Sequence, residues 1–457
     1  MNAAHFETWT GGTWTLPPTF PITAVTQDSR KACLGILYVA LKGERHDGHD
    51  FVSAAFRQGA TAAMVRRGWQ PPADVAGLPL PLLCVDDPAQ ALMDLAKGYR
   101  SQLRATVLGI TGSAGKTTLK ELTAAMLSGA GLTAATPGNY NNEVGLPLSL
   151  LSVPDEARFA VIEAGISHPQ DMDPLADMMR PDAAAISCIG PAHIEYFGTE
   201  QAIAAEKAKL LAAVPATGFA VMSKECAEFA TLTAACRCRV VTCSLRDDTA
   251  DWFGEPLAKG VVRVHHGDEP AVLLETGLAG EHNASNALIA YALVRECGVS
   301  AAEALAGLRR FKPPAMRWEI VNAGSFTAIN DAYNANPLSM RAALETFAGS
   351  DLSGTKVVCV GDMLELGDAS DLRHREVGEA SGNGPWRLLA GVGTATRALL
   401  EGAIQAGYPA SQTVWFATTA EAAEALPLLL QPGDTLLLKA SRGMRLETIL
   451  EALRTQS

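Results

Sequence analysis

Apolar residues along the chain fall into short, bounded runs separated by turn signals. Between Ile22 and Val85 such runs, Leu37 to Leu41 and Leu82 to Val85 among them, alternate with Gly- and Asp-rich turns, the pattern of a small α/β unit. Asp87-Pro88 supplies an N-cap and a first-turn proline for a helix running through about Ser101. Thr106 to Ile110 is a β-rich apolar segment that turns directly into a Gly-rich loop and an Ala/Leu-rich helix. Similar runs at Phe159 to Ile162 and Ala183 to Cys188, with helical patterns between them, predict a parallel sheet with crossover helices. A helix from about Ala301 stops at Lys312-Pro313-Pro314, just ahead of a new strand-like segment. Beyond that break Val357 to Val360, Trp386 to Ala390 and Thr435 to Leu438 read as buried strands of a second doubly wound unit. The pattern therefore predicts an α/β chain of three domains, residues 1–103, 104–312 and 313–457, with no internal repeat.

A length of 457 residues suits about three domains, and 48% hydrophobic with 19% charged residues is the balance of compact domains. The net charge of -12 gives no basic footprint for nucleic acid or anionic lipid, so a polyanionic ligand has to be held locally. The nine cysteines are scattered and form no CxxC pair; Cys236, Cys238 and Cys243 are the closest group and lack histidines at metal-ligand spacing. Reduced thiols in the cytoplasm are the expectation. The opening MNAAHFETWTGG lacks a basic segment followed by an apolar core, and no apolar run approaches about 18 residues. Neither export nor membrane insertion is expected, and a monomer is.

The strongest chemical signal is Thr111-Gly-Ser-Ala-Gly-Lys-Thr-Thr118, set between a buried strand and a helix. There the backbone of Gly112, Ser113, Ala114 and Gly115 and the helix N-terminus can form a nest for phosphate oxygens. Lys116 adds positive charge, Thr117 can offer its hydroxyl to Mg²⁺, and Thr118 completes the motif. Ile110 stands where the longer P-loop pattern has glycine, so this is the shorter GxxGKT form; the bland alternative is a Gly-rich turn with an incidental lysine. Gly138-Asn-Tyr-Asn-Asn-Glu-Val-Gly-Leu-Pro147 places Asn139, Asn141 and Asn142 in one loop, which by itself is also what an Asx turn looks like. Glu163 ends the strand that begins at Phe159, where a carboxylate can hold a metal beside the P-loop or simply be solvated. His193 follows the strand-like run Ala183 to Cys188, a position open to a structural histidine as well as to a ligand. If Thr199 caps a helix, Ile203, Leu210, Leu211 and Val214 form its apolar stripe. At about 100° per residue Lys207 falls within that stripe and Lys209 nearly opposite; Lys207 then needs a partner or a purpose, unless it snorkels.

In this order the loop 112–118, the Asn-rich loop, Glu163, His193 and Lys207 resemble the central domain of the Mur ligases. Gly280-Glu-His-Asn-Ala-Ser-Asn-Ala-Leu-Ile-Ala290 is similar to the family's helix start near the adenine, with Asn283 and Asn286 as its polar positions. Arg317 in Met-Arg-Trp-Glu and the run Asn330 to Met340 resemble its ATP-clamping segments, Asp331 included. Tyr333-Asn-Ala-Asn-Pro337 is similar to the signature of the branch that adds D-alanyl-D-alanine, as are Val360-Gly-Asp-Met-Leu-Glu-Leu-Gly367 and Leu438-Lys-Ala-Ser-Arg-Gly443. In the first domain Asp28-Ser-Arg30, Ala40-Leu-Lys-Gly43 and Asp47-Gly-His49 resemble contacts to a UDP-sugar. Asn330-Asp331 stands where two acidic residues are common, and Ala332 where serine is.

The resemblance implies a central P-loop ATPase-like domain between a small N-terminal α/β domain and a Rossmann-like C-terminal one. The implied activity is an ATP-dependent, ADP-forming ligase that joins UDP-N-acetylmuramoyl-tripeptide to D-alanyl-D-alanine through an acyl phosphate, giving a peptidoglycan precursor. It further implies two Mg²⁺ sites drawn from Thr117, Glu163, His193 and a carbamylated Lys207. Lys116, Glu163, His193 and Lys207 would be the catalytic set. Substrate contacts would come from Ser29, Arg30, Lys42, Asn139, Asn141, Asn142, Asn334, Asn336, Ser441 and Arg442. A sibling adding a different amino acid would show Asp-Asn-Pro-Arg in the last domain, and this chain does not. A folate-polyglutamating ligase shares the P-loop architecture but not the Asn-rich loop or Tyr-Asn-Ala-Asn-Pro. A nucleotide-sensing regulator would turn over ATP without forming stoichiometric amide.

Overall fold

The computed structural model describes residues 1–455 except 2, 73, 76, 324 and 325. Three sheets are present among the described residues, one in each block that the hydrophobic pattern separates. The first sheet runs in the order Thr13–Trp14, Leu82–Val85, Ala62–Arg66, Ile36–Val39, Ala24–Thr26, parallel except for its short first strand. The helix Pro88–Arg100 is capped as expected: the Asp87 carboxylate accepts a hydrogen bond from Ala89 N at 2.8 Å. Ala91, Leu92, Leu95, Ala96 and Tyr99 recur at helical spacing on its buried side.

The central sheet has nine strands, with Thr106–Thr111 between Ala183–Ile186 and Phe159–Glu163. Both flanking strands are buried throughout, which is why they read as continuous apolar runs. The strand expected to reach Cys188 ends at Ile186, and Ser187 and Cys188 belong to the turn beyond it. The expected all-parallel sheet is extended by antiparallel pairing of Trp252–Pro256, Val261–His265 and Val272–Glu275. These strands cover the core with one face only: Val262 and Val264 are buried while Arg263 is exposed. Their signal is an alternation of period two rather than an apolar run. The helix expected to stop at the prolines ends earlier, at Leu308; its start is fixed by a capping box between Ser300 and Glu303.

The third sheet runs Glu319–Ala323, Phe326–Asn330, Thr435–Lys439, Lys356–Gly361, Trp386–Val392, Thr413–Phe416, antiparallel only in its first pair. No helix among the described residues is long and apolar enough to cross a membrane. All nine cysteines are free.

Arg100 ties the first domain to the second. From the end of its helix it donates to Met179 O at 2.8 Å, Arg180 O at 2.7 Å and Asp182 Oδ2 at 3.0 Å. The Asp182 carboxylate in turn accepts from Val107 N at 2.8 Å, within the strand that leads to the P-loop. Replacing Arg100 by Ala strips three acceptors of a charged donor and is expected to destabilise the protein by about 1.5–3 kcal/mol. Thermal unfolding checks this, and an unchanged midpoint would contradict it.

Candidate active site

Chain order places the site. After Thr106–Thr111 the chain goes to one edge of the sheet through Thr133–Ala135 and back to Phe159–Glu163, then crosses to Ala183–Ile186 on the other side. The carboxyl end of Thr106–Thr111 is therefore a switch point, where open α/β sheets hold ligands. The loop that follows turns through Gly115 at φ +77°, and a Cβ there would stand 2.7 Å from Asn286 Nδ2, so glycine is required on both counts. The helix Lys116–Leu127 begins at once and directs its N-terminal amides at the loop. Lys116 folds over the loop and donates to Gly112 O at 2.9 Å. Burial lowers its pKa, opposed by the nearby Glu163 carboxylate.

A cleft of ≈ 440 Å³ opens over this loop. Its central-domain wall holds residues 113–118, Asn139, Asn141, Asn142, Glu163, His193, Asn283 and Asn286. The third domain supplies Arg317, Asp331, Asn334 and Asn336. The structure thus brings together most of the residues singled out in the sequence. Arg317 donates to Thr117 Oγ1 at 3.0 Å and lies 4.3 Å above the Tyr333 ring. Asn336 caps the helix Pro337–Ala348 through its Oδ1, and its Nδ2 donates to Ser113 O at 3.2 Å, so one side chain both starts a helix and touches the loop of the other domain. Asp331 is held by Lys439 at 2.7 Å.

The Asn-rich loop does more than an Asx turn would. Asn141 Nδ2 donates to Glu163 Oε1 at 2.8 Å, while Glu163 Oε2 is buried without a hydrogen-bond partner. An orphaned carboxylate oxygen in the cleft that Thr117 also lines suits a hard, oxygen-seeking cation. No three His, Cys, Asp or Glu side chains cluster for a metal among the described residues, so such a cation would draw its other oxygens from Thr117 and from substrate. The His193 ring sits with Nδ1 2.6 Å from Glu365 of the third domain, although the ring N–H direction is off line. This contact holds the Glu365 carboxyl below its usual range.

Thr199 caps the helix Glu200–Ala212, accepting from Ala202 N at 3.1 Å. Lys207 is 1% exposed, and no hydrogen bond or ion pair is found for it among the described residues. Burial and then the Lys116 charge push its pKa well below the ordinary lysine value, favouring the neutral amine. Lys209 lies on the other face, but it is not the purely solvated charge that helical phase suggests. It pairs with Asp173 at 2.7 Å and with the buried Glu206 at 2.8 Å.

Several residues singled out in the sequence lie elsewhere. Ser29, Arg30 and Lys42 belong to the first domain and do not line the cleft; Arg30 is exposed and paired with Asp28 at 2.8 Å. Ser441 is buried, accepting from Leu364 N at 2.9 Å, and Arg442 pairs with Glu447 at 2.6 Å. Conversely, His282 and Lys439 line the cleft without having been singled out. Lys439 carried a usable signal, a lysine at the end of a buried strand. Glu365 lies within the run Val360 to Gly367, but nothing in the sequence pairs it with His193 of another domain.

Three family models match in order along the chain: "Mur ligase family, catalytic domain" at residues 21–100, "Mur ligase middle domain" at 110–294, and "Mur ligase, glutamate ligase domain" at 316–442. The UDP-N-acetylmuramoyl-tripeptide--D-alanyl-D-alanine ligase of Escherichia coli is 35% identical over 95% of this chain and 94% of its own. The enzyme of that name from Bacillus subtilis is 33% identical over 94% and 93%. A crystal structure of MurF from Acinetobacter baumannii superposes with a TM-score of 0.87 at 31% identity, covering 99% of this chain and 98% of that one.

The depressed Lys207 pKa has a thermodynamic consequence. An amine whose folded pKa lies below its unfolded value of about 10.4 binds more protons when unfolded across that window. Its burial therefore penalises the fold fully below the folded pKa, and the penalty is relieved as pH rises toward the unfolded one. In bicarbonate-free buffer Lys207→Met is expected to melt higher than wild type at pH 6, with the gap narrowing toward pH 10. A variant that melts lower at pH 6 would contradict the burial of an unpaired amine.

Proposed function

Because the chain belongs to the Mur ligase family, we propose that it uses ATP to join UDP-N-acetylmuramoyl-tripeptide to D-alanyl-D-alanine. The products would be ADP, phosphate and the UDP-linked muramoyl pentapeptide, a peptidoglycan precursor. One observation carries this reading: a P-loop with a partly buried lysine is faced across a single cleft by Arg317, Asn334 and Asn336 of another domain.

A carboxylate is a poor electrophile, so amide formation needs activation. The tripeptide carboxylate oxygen attacks the γ-phosphorus of ATP; a C–O–P linkage forms and ADP leaves. The dipeptide amine then attacks the carbonyl carbon, a C–N bond forms, and phosphate departs with the C–O pair while the amine loses its proton. Little covalent chemistry falls to the protein, whose task is positioning and charge neutralisation. The loop amides and Lys116 hold the transferring phosphates, and Arg317 adds charge from the opposite wall. Asn283 and Asn286 would face the adenine and Asp331 the ribose. Asn139, Asn141, Asn142, Asn334 and Asn336 surround the acceptor side, and Ser29, Arg30 and Lys42 would take the UDP-sugar in the first domain.

Mg²⁺ would be held by Thr117 with Glu163 and, at a second position, by His193 with Lys207; it would neutralise phosphate charge. An ammonium cannot serve that second position. The neutral amine favoured at Lys207 can take up CO₂ as a carbamate with release of a proton, which supplies anionic oxygens. Free thiols at all nine cysteines fit a cytoplasmic enzyme.

Incubating the protein with ATP, Mg²⁺, UDP-muramoyl tripeptide and D-alanyl-D-alanine is expected to yield a product whose mass is the sum of the two acceptors less one water. ATP hydrolysis without that product would favour a nucleotide sensor instead. Lys116→Ala should lower the rate by about 10²–10³-fold, as loss of a charge at a transferring group does. Lys207→Ala should abolish ligation, with partial rescue by short carboxylic acids, whereas Lys209→Ala should stay within about threefold of wild type. Equal loss at both lysines would contradict the role given to Lys207.

A further inference from the structure

The run Val360 to Gly367 leaves the strand Lys356–Gly361 and crosses to the central domain, and its anchoring is specific. Met363 N donates to Nε2 of the fully buried His374 at 2.9 Å, and Leu364 N donates to Ser441 Oγ at 2.9 Å. Met363 and Leu366 are buried in one apolar cluster with Ile194 of the central domain. Between these anchors Glu365 projects toward His193, with its carboxylate 2.6 Å from Nδ1.

Two features mark this contact as more than a surface ion pair. His193 (φ +57°) and Glu365 (φ +63°) both adopt the left-handed backbone that non-glycine residues seldom occupy, one on each side of the domain boundary. The backbones also meet: Glu195 N donates to Glu365 O at 3.4 Å, and a Cβ on Gly367 would stand 3.0 Å from Glu195 Cγ. Two strained turns are thus fitted against each other with their side chains in contact. An imidazole at the mouth of a cleft can rotate and exchange tautomers. A carboxylate 2.6 Å from one ring nitrogen attracts the proton to that nitrogen even with the N–H direction off its line, and so biases the other nitrogen toward a lone pair.

We propose that Glu365 is a positioning residue of the ligase site: its carboxylate, carried by the third domain, fixes the ring and tautomer of His193, so that the imidazole is set for reaction only while that domain is docked. This rests on the reading of His193 as a working residue of the cleft. Glu365 touches no reacting atom; it acts through His193.

Kinetics and histidine-selective ¹⁵N NMR test this together, on full-length protein with a nonhydrolysable ATP analogue for the spectra. The His193 signal is identified by its loss in His193→Gln. In wild type His193 is expected as the Nδ1–H tautomer, and in Glu365→Ala as a mixture. Loss of such a supporting carboxylate typically lowers activity about 10–100-fold; that fall is expected in kcat for Glu365→Ala, with KM for ATP within about threefold. Glu365→Gln keeps an acceptor and should fall between the two. An unchanged tautomer, or wild-type kcat in Glu365→Ala beside an impaired His193→Gln, overturns the role of Glu365 alone. Wild-type kcat in His193→Gln removes the histidine from the reaction and overturns both readings.

Discussion

The bond from the Arg317 guanidinium to the Thr117 hydroxyl joins two domains directly over the P-loop. Arg317 is itself placed by the Tyr333 ring beneath it, and Tyr333 lies four residues ahead of the proline that begins the helix Pro337–Ala348. That helix is capped by Asn336, whose amide reaches Ser113. A single docking geometry therefore sets the guanidinium, the helix and the loop carbonyl at once. Neither domain alone has both walls of the cleft, which is why the cleft rather than either sheet is the functional unit.

Docking also sets the electrostatics. Lys207 is buried and the Lys116 charge lowers its pKa, while the Arg317 charge lowers that of the partly buried Lys116. Against them stands Glu163, with one oxygen held by Asn141 and the other without a hydrogen-bond partner. Such a concentration of charge is expensive to fold around and useful when a polyphosphate arrives, since the field needs no reorganisation at the moment of reaction. The unbalanced protein groups are the ones that ATP and its metal would neutralise.

How much of this was legible in the sequence depended on whether a signal was local. The P-loop, the cap at Asp87 and the inward phase of Lys207 are set by neighbours within a turn or two, and all three appear where the chain placed them. The antiparallel extension of the central sheet was missed because its half-exposed strands alternate instead of forming apolar runs. Lys209 read as a free charge although Glu206 lies one turn back on its own helix; its other partner, Asp173, sits on another helix and carried no local signal. Glu365 and His282 acquire their surroundings only when domains meet, and no spacing in the sequence encodes that. The family resemblance named the groups around the cleft, but the third domain's grip on His193 exists only in the folded arrangement of the domains.

The most direct test of a cleft shared between domains is Arg317→Ala, measured for ATP binding by calorimetry and for single-turnover ligation at saturating substrates. If the third domain completes the site, ATP affinity should change by less than about tenfold while the ligation rate falls by about 10²–10³-fold, the loss typical of a charge stabilising a transferring group. Single-turnover ligation at the wild-type rate would contradict it, because the cleft would then work without the residue that spans its two walls.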